Sequence, residues 1–265
     1  MTIRTFAAAL ALACFALSAS AQVTHTFDDG MAAFETADFA KAASIWTPLA
    51  EAGDLKAAYN LGVLYQEGKG VAVNEAEALR WWRIAAEGGS IDAQHNLGLS
   101  LLAGAGENPA PGETLHWLIR ASENGNAQSQ YTLGKMYYEG LGVPKDYEIA
   151  YQWMGQAAEA GFPPALYNVA KMTRDGQGVP PDMKIAFKLF ATAAEAGYAK
   201  AQAALAVRYQ LGEGVRRDPE QALRWAYRAR AGGVERAQET IDAMVAEVGA
   251  DVAKRIEAEA KTLSK

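Results

Sequence analysis

Glycine recurs at a fixed step of 36 residues along most of the chain: Gly53, Gly89, Gly125, Gly161, Gly197 and Gly233. Glycine pairs keep the same step, at Gly68/Gly70, Gly104/Gly106, Gly140/Gly142, Gly176/Gly178 and Gly212/Gly214. So do Trp81, Trp117, Trp153 and Trp225, with Leu189 filling the gap. A period of this length, held in several columns at once, means that each stretch is one supersecondary unit. Such a unit cannot bury its apolar face alone and must stack on its neighbours.

Each unit reads as two helices. Ala57, Leu61, Leu64 and Tyr65 recur on one helical face. Gly68-Lys69-Gly70 stops that helix, because glycine supplies the left-handed conformation that ends it. Asn74 then caps a second helix, and Asp146, Asp182 and Asp218 take the same place later. Ala78, Trp81, Trp82 and Ala85 face inward on the second helix, and Gly88-Gly89 turns the chain into the next unit. Gly62, Gly98 and Gly134 stand in mid-helix, where glycine costs up to about 1 kcal/mol relative to alanine. A cost repeated at every unit implies a close approach by the neighbouring helix at that point. Ala170 and Ala206 hold the same column in the last two units.

These phrases resemble the Sel1-like repeat family, a relative of the tetratricopeptide repeat. The resemblance rests on Ala58-Tyr59-Asn60-Leu61-Gly62-Val63-Leu64-Tyr65, on Glu67-Gly68-Lys69-Gly70-Val71, and on Ala78-Leu79-Arg80-Trp81-Trp82 with Ala85-Ala86 and Gly88. It implies an all-α, right-handed solenoid of stacked antiparallel helix pairs. The expected organisation is five units at 54–89, 90–125, 126–161, 162–197 and 198–233. Capping helices are expected at 22–53 and 234–265, since a repeat array needs atypical ends to cover its terminal apolar faces. Met31 to Thr36 reads as a short first helix of the N-terminal cap. The second unit departs most from the pattern, with Asn108-Pro109-Ala110-Pro111 in place of the usual loop.

Residues 1–21 have the form of a secretory signal. Arg4 precedes the uncharged run Phe6 to Leu17, and Ala19-Ser20-Ala21 offers a cleavage site before Gln22. The expected location is the periplasm of a Gram-negative bacterium or the medium, with no membrane span in the mature chain. The single cysteine, Cys14, lies inside this segment, so the mature chain has no disulfide or thiol chemistry. Cys14 is not read as a lipidation site, because Ala11 stands where a leucine-like residue is needed.

Chemical motifs are largely missing. No phosphate-binding loop, zinc-protease motif, nucleophile elbow or calcium loop is present. His95 and His116 fall in one unit, and spacing suggests no third metal ligand; His95 instead substitutes for a tyrosine column. No catalytic residue, cofactor or metal site is therefore expected. The net charge of −6 argues against a nucleic-acid partner, which needs a basic surface to displace counterions. Some disulfide-bearing members of the family are described as binding or hydrolysing penicillin-like compounds. This chain lacks their cysteines and any Ser-x-x-Lys pair.

The resemblance implies a scaffold or regulator that holds a protein or peptide on the concave side lined by the first helices. The expected contact residues are Tyr59, Asn60, His95, Asn96, Tyr131, Lys135, Tyr138, Tyr167, Asn168, Lys171 and Arg174. Asparagine amides both donate and accept, and suit a peptide backbone. Lys135, Lys171 and Arg174 would form a positive patch suited to an acidic segment. The tyrosines serve either contact or packing, with hydroxyls reaching the next unit. A monomer is expected. Other readings are a cell-wall-active enzyme or peptidoglycan or sugar binder, which requires an acid–base pair in a cleft, and a secreted effector directed at a host.

Overall fold

The computed structural model describes residues 25–104 and 112–262, with the side chains of 261 and 262 excluded. The expected signal segment and the Asn108-Pro109-Ala110-Pro111 stretch lie outside the described residues. Among the described residues there are fourteen α-helices and no strands. The N-terminal pair is α1 (Phe27–Glu35) and α2 (Phe39–Glu51). Five pairs follow: α3 (Leu55–Glu67) with α4 (Glu75–Glu87), α5 (Ile91–Leu102) with α6 (Glu113–Glu123), and α7 (Ala127–Glu139) with α8 (Tyr147–Glu159). Then come α9 (Pro163–Asp175) with α10 (Met183–Glu195) and α11 (Ala199–Leu211) with α12 (Pro219–Ala231). The chain closes on α13 (Ala237–Val248) and α14 (Ala250–Thr262). Each helix packs on the next in sequence, so nearly every contact is local and the array is an all-α solenoid.

Helix ends follow the residues that dictate them. Asn74, Asp146, Asp182 and Asp218 accept hydrogen bonds from first-turn amides of α4, α8, α10 and α12. Gly68, Gly140, Gly176 and Gly212 stop first helices in the left-handed conformation. The second glycine of the last two pairs has a different task. A Cβ on Gly178 would collide with the backbone of Tyr147, and one on Gly214 with that of Met183. These two loops lie directly on the start of the previous unit's second helix, where only hydrogen fits, whereas a Cβ on Gly142 would meet only the Met136 methyl at 4.0 Å.

The core runs between the two helices of each pair. The mid-helix glycines do receive a close neighbour, but its nature varies. At Gly62 the space is filled by the indole of Trp82, whose Nε1 donates to the Tyr59 carbonyl at 3.2 Å. At Gly98 it is Leu118. At Gly134 the helix backbone itself comes near, with Ala150 O and Met154 N 3.1 Å from an added Cβ. Trp82, Leu118, Met154, Phe190 and Ala226 form one column at the repeat step, all buried.

The ends differ in detail from the sequence reading. Helix α1 begins at Phe27, four residues before the expected Met31, because Thr26 and Asp29 cap it reciprocally. Gly30 packs on Trp46 as Gly62 packs on Trp82, so α1–α2 repeats the same interior with a shorter connection. That tight turn puts Ala37 at φ 61, a left-handed conformation reached here without glycine. At the other end, α14 lies on α12 and α13, tied by the ion pairs Arg224–Glu259 and Arg255–Glu220.

Candidate partner-binding face

The first helices α3, α5, α7 and α9 carry all the expected contact residues, and their positions fall into three groups. Some link neighbouring units. The Tyr59 hydroxyl accepts from Asn96 Nδ2 at 3.4 Å, and the Tyr131 hydroxyl accepts from Asn168 Nδ2 at 3.1 Å. Burial pushes both tyrosine hydroxyls above the ordinary phenol value, and the asparagine bonds act in the opposite sense. Asn168 also donates to the Pro164 carbonyl at 2.8 Å, while Asn60 donates to its own helix at Lys56 O. Tyr138 donates to Gln177 Oε1 at 3.0 Å, and its ring lies tilted against that of Tyr147, with centroids 5.2 Å apart. The tyrosine–asparagine pairs are therefore a ladder between units.

His95 belongs to this group. It is buried, with Nδ1 2.7 Å from Ser129 Oγ. That distance suits a nucleophile and its base, but Ser129 is 0% exposed and no substrate reaches it. The pair is a link between the second and third units. Burial lowers the His95 pKa below the usual imidazole value, which keeps the ring neutral. His116 is exposed on α6. Among the described residues, no group of three or more His, Cys, Asp or Glu is placed to hold a metal.

The expected positive patch is largely compensated. Arg174 makes two hydrogen bonds to Asp175, at 2.6 and 2.7 Å, and Lys135 Nζ lies 3.9 Å from the Glu139 carboxylate. Lys171 is left over, with its ammonium 5.8 Å from the Tyr167 ring centroid.

The third group lines two grooves. One, of about 320 Å³, lies between α3 and α5 and is bounded by Tyr59, Val63, Trp82, Asn96 and Leu99. The other, of about 340 Å³, lies between α9, α11 and the start of α13 and includes Tyr167, Lys171, Arg174, Val207 and Arg208. Tyr131, Lys135 and Tyr138 line neither. Arg208 and Arg236 in the second groove are absent from the sequence expectation. Arg208 had a signal: its column runs Leu64, Ser100, Met136, Met172, and then an arginine. A further feature missed from sequence is a glutamine column. Gln94, Gln130 and Gln202 each donate to a carbonyl eight residues back, at Ala86, Ser122 and Ala194. These amides bind the last turn of one second helix to the next unit, each as a second donor to a carbonyl that also accepts a turn amide, from Gly89, Gly125 and Gly197.

The comparison with known proteins agrees with this architecture. The Sel1 repeat model matches residues 55–90, 91–126, 127–162, 163–198 and 199–234. The chain belongs to the Sel1 repeat family, whose members generally act as protein–protein interaction scaffolds. Among solved structures, a Sel1 repeat protein from Oxalobacter formigenes superposes with TM-score 0.75 at 27% identity, over 90% of this chain and 100% of that one. A protective antigen of uropathogenic Escherichia coli with an SLR fold superposes with TM-score 0.62 at 27% identity. That match covers 88% of this chain and 59% of the antigen, so the chain spans little more than half of its length. A search of curated protein sequences finds no match to the chain. No helix among the described residues is long and apolar enough to cross a membrane.

Proposed function

We propose that this chain is an exported interaction scaffold, and that a partner protein lies along the face formed by its first helices. The observation that carries this reading is the location of the two grooves. Both open on that face, and each includes positions that make no bond between units, Leu99 in one and Lys171 and Val207 in the other. Leu99, at 37% exposed, is the kind of apolar side chain that a partner would cover. Export rests on the pattern of residues 1–21, with the periplasm as the expected compartment. The absence of a catalytic motif in the sequence and the buried state of the Ser129–His95 pair favour binding over turnover.

Alanine substitution of the asparagines is a poor test, because Asn96 and Asn168 also bridge units. A photo-cross-linking residue placed singly at Leu99, Val207 or Ile185 separates the faces. Ile185 is an exposed residue on the second helix α10. Leu99 and Val207 are expected to trap the same partner in cells, and Ile185 to trap none. Adducts formed from Ile185 alone would place the interface on the second helices and end this reading.

A further inference from the structure

The C-terminal groove lies where the repeat ladder is broken. In two interior junctions a tyrosine hydroxyl is closed off by the asparagine 37 residues later, Tyr59 by Asn96 and Tyr131 by Asn168. Tyr167 should meet its partner at position 204, which is alanine, and position 203, where other units carry Tyr or His, is alanine as well. Two small side chains therefore stand where two large ones would fill the space over α11. The Tyr167 hydroxyl is left without a hydrogen-bond partner among the described residues, at the edge of a groove floored by Phe190, Ala203 and Val207.

The charges around this opening are unusual for an acidic protein. Lys171, Arg174, Arg208 and Arg236 line it, against one lining carboxylate, Glu239. Asp175 holds Arg174, and Glu213 lies 2.8 Å from Arg208 Nη1. Lys171 and Arg236 have no ion-pair partner among the described residues. Arg208 is only 9% exposed, and its Nε and Nη1 are shut off from solvent without a well-formed hydrogen bond. A guanidinium held in this way has lost water without full compensation, so an anion nearby recovers part of the cost. Burial also lowers the Arg208 pKa, with Glu213 and Asp175 acting in the opposite sense. Arg236 caps α13 with no side-chain bond to the first-turn amides, and the positive end of that helix adds to the field.

We infer that the groove between α9, α11 and α13 takes an acidic, extended segment of a partner protein, with Asp or Glu side chains between Lys171 and Arg236 and a backbone group on the Tyr167 hydroxyl. Cations placed on two sides of an open groove suit several side-chain carboxylates along a strand better than one chain end. The floor of Phe190, Ala203 and Val207 suits a small apolar side chain between the acids. This inference rests on the first-helix face being the binding face, and it names the chemistry of the partner there.

The test uses the full chain and fluorescein-labelled decapeptides of alternating Glu and Leu, with Gln and Leu as the counterpart, each in free-acid and amidated form. Fluorescence anisotropy is expected to show binding of both Glu peptides that weakens with salt, and at least about tenfold weaker binding of the Gln peptides. Lys171→Glu with Arg236→Glu should remove the difference. Ala204→Asn should restore the ladder bond to Tyr167, refill the groove and weaken binding about tenfold while leaving the thermal transition unchanged or raised. Ile185→Ser, on the second helix α10 away from both grooves, should change nothing. Equal binding of Glu and Gln peptides, no binding of either, or binding of the free-acid forms alone would overturn the inference, the last by assigning the groove to a chain end. Cross-links from Leu99 and Val207 that persist in the Lys171/Arg236 double variant would leave the first-helix face standing while this site falls.

Discussion

Gly62→Ala and Gly155→Ala make the same chemical change in two helices, and the packing predicts opposite signs. Both replace a helical glycine and so recover about 0.5–1 kcal/mol of backbone entropy. At Gly155 a Cβ meets nothing within 4 Å, so the full gain is kept and the chain becomes more stable. At Gly62 the Cβ would fall inside the contact radius of the Trp82 ring, and Trp82 is 3% exposed and has no free space to move into. Overpacking of this kind costs about 1–3 kcal/mol. Displacing the indole also strains its bond to the Tyr59 carbonyl, a loss of about 1 kcal/mol. The net expectation for Gly62→Ala is destabilisation by about 1–3 kcal/mol. Urea denaturation followed by far-UV circular dichroism, with thermal melts alongside, reads both variants. A shift of about 2–4 °C in Tm accompanies each kcal/mol in a chain of this size. If Gly62→Ala stabilises the protein as Gly155→Ala does, the account of the mid-helix glycine column is wrong.

Three further outcomes follow from the contacts. Gln94→Ala removes one of two donors to the Ala86 carbonyl, which keeps the Gly89 amide, and should cost about 0.5–1.5 kcal/mol, measured by the same urea titration. His95 has a folded pKa below its unfolded value of 6.5, so the unfolded chain binds more protons in acid. Its contribution to stability is complete above that value and is lost as pH falls through it toward the folded pKa; His95→Tyr, which restores the column residue, should show a smaller fall in urea midpoint between about pH 7.5 and 5.5. Gly178→Ala combines a left-handed backbone with a collision against the Tyr147 carbonyl; it should destabilise more than Gly161→Ala, whose Cβ meets nothing, and hydrogen exchange should show the difference at the start of α8.

The helix pairs, their caps and their stops were legible in the sequence because each depends on residues a few positions apart. Asn74 caps the helix that begins at the next residue, and Gly68 ends the helix it follows. The 36-residue step also announced which positions stack, since a column kept in every unit serves the contact that every unit makes. Only the assembled structure decided what the variable columns do. Asn96 and Asn168 read as contact residues, yet their amides reach tyrosines 37 residues back, a pairing set by the lateral distance between first helices. The positive patch read from Lys135, Lys171 and Arg174 was reduced by carboxylates one to four residues away, which claimed two of the three. Arg208 and Arg236 meet Lys171 only because α9, α11 and α13 lie side by side, and the groove they share opens where Ala203 and Ala204 leave space. A local rule sees each of these residues in its own helix; the charge and the vacancy belong to three helices at once.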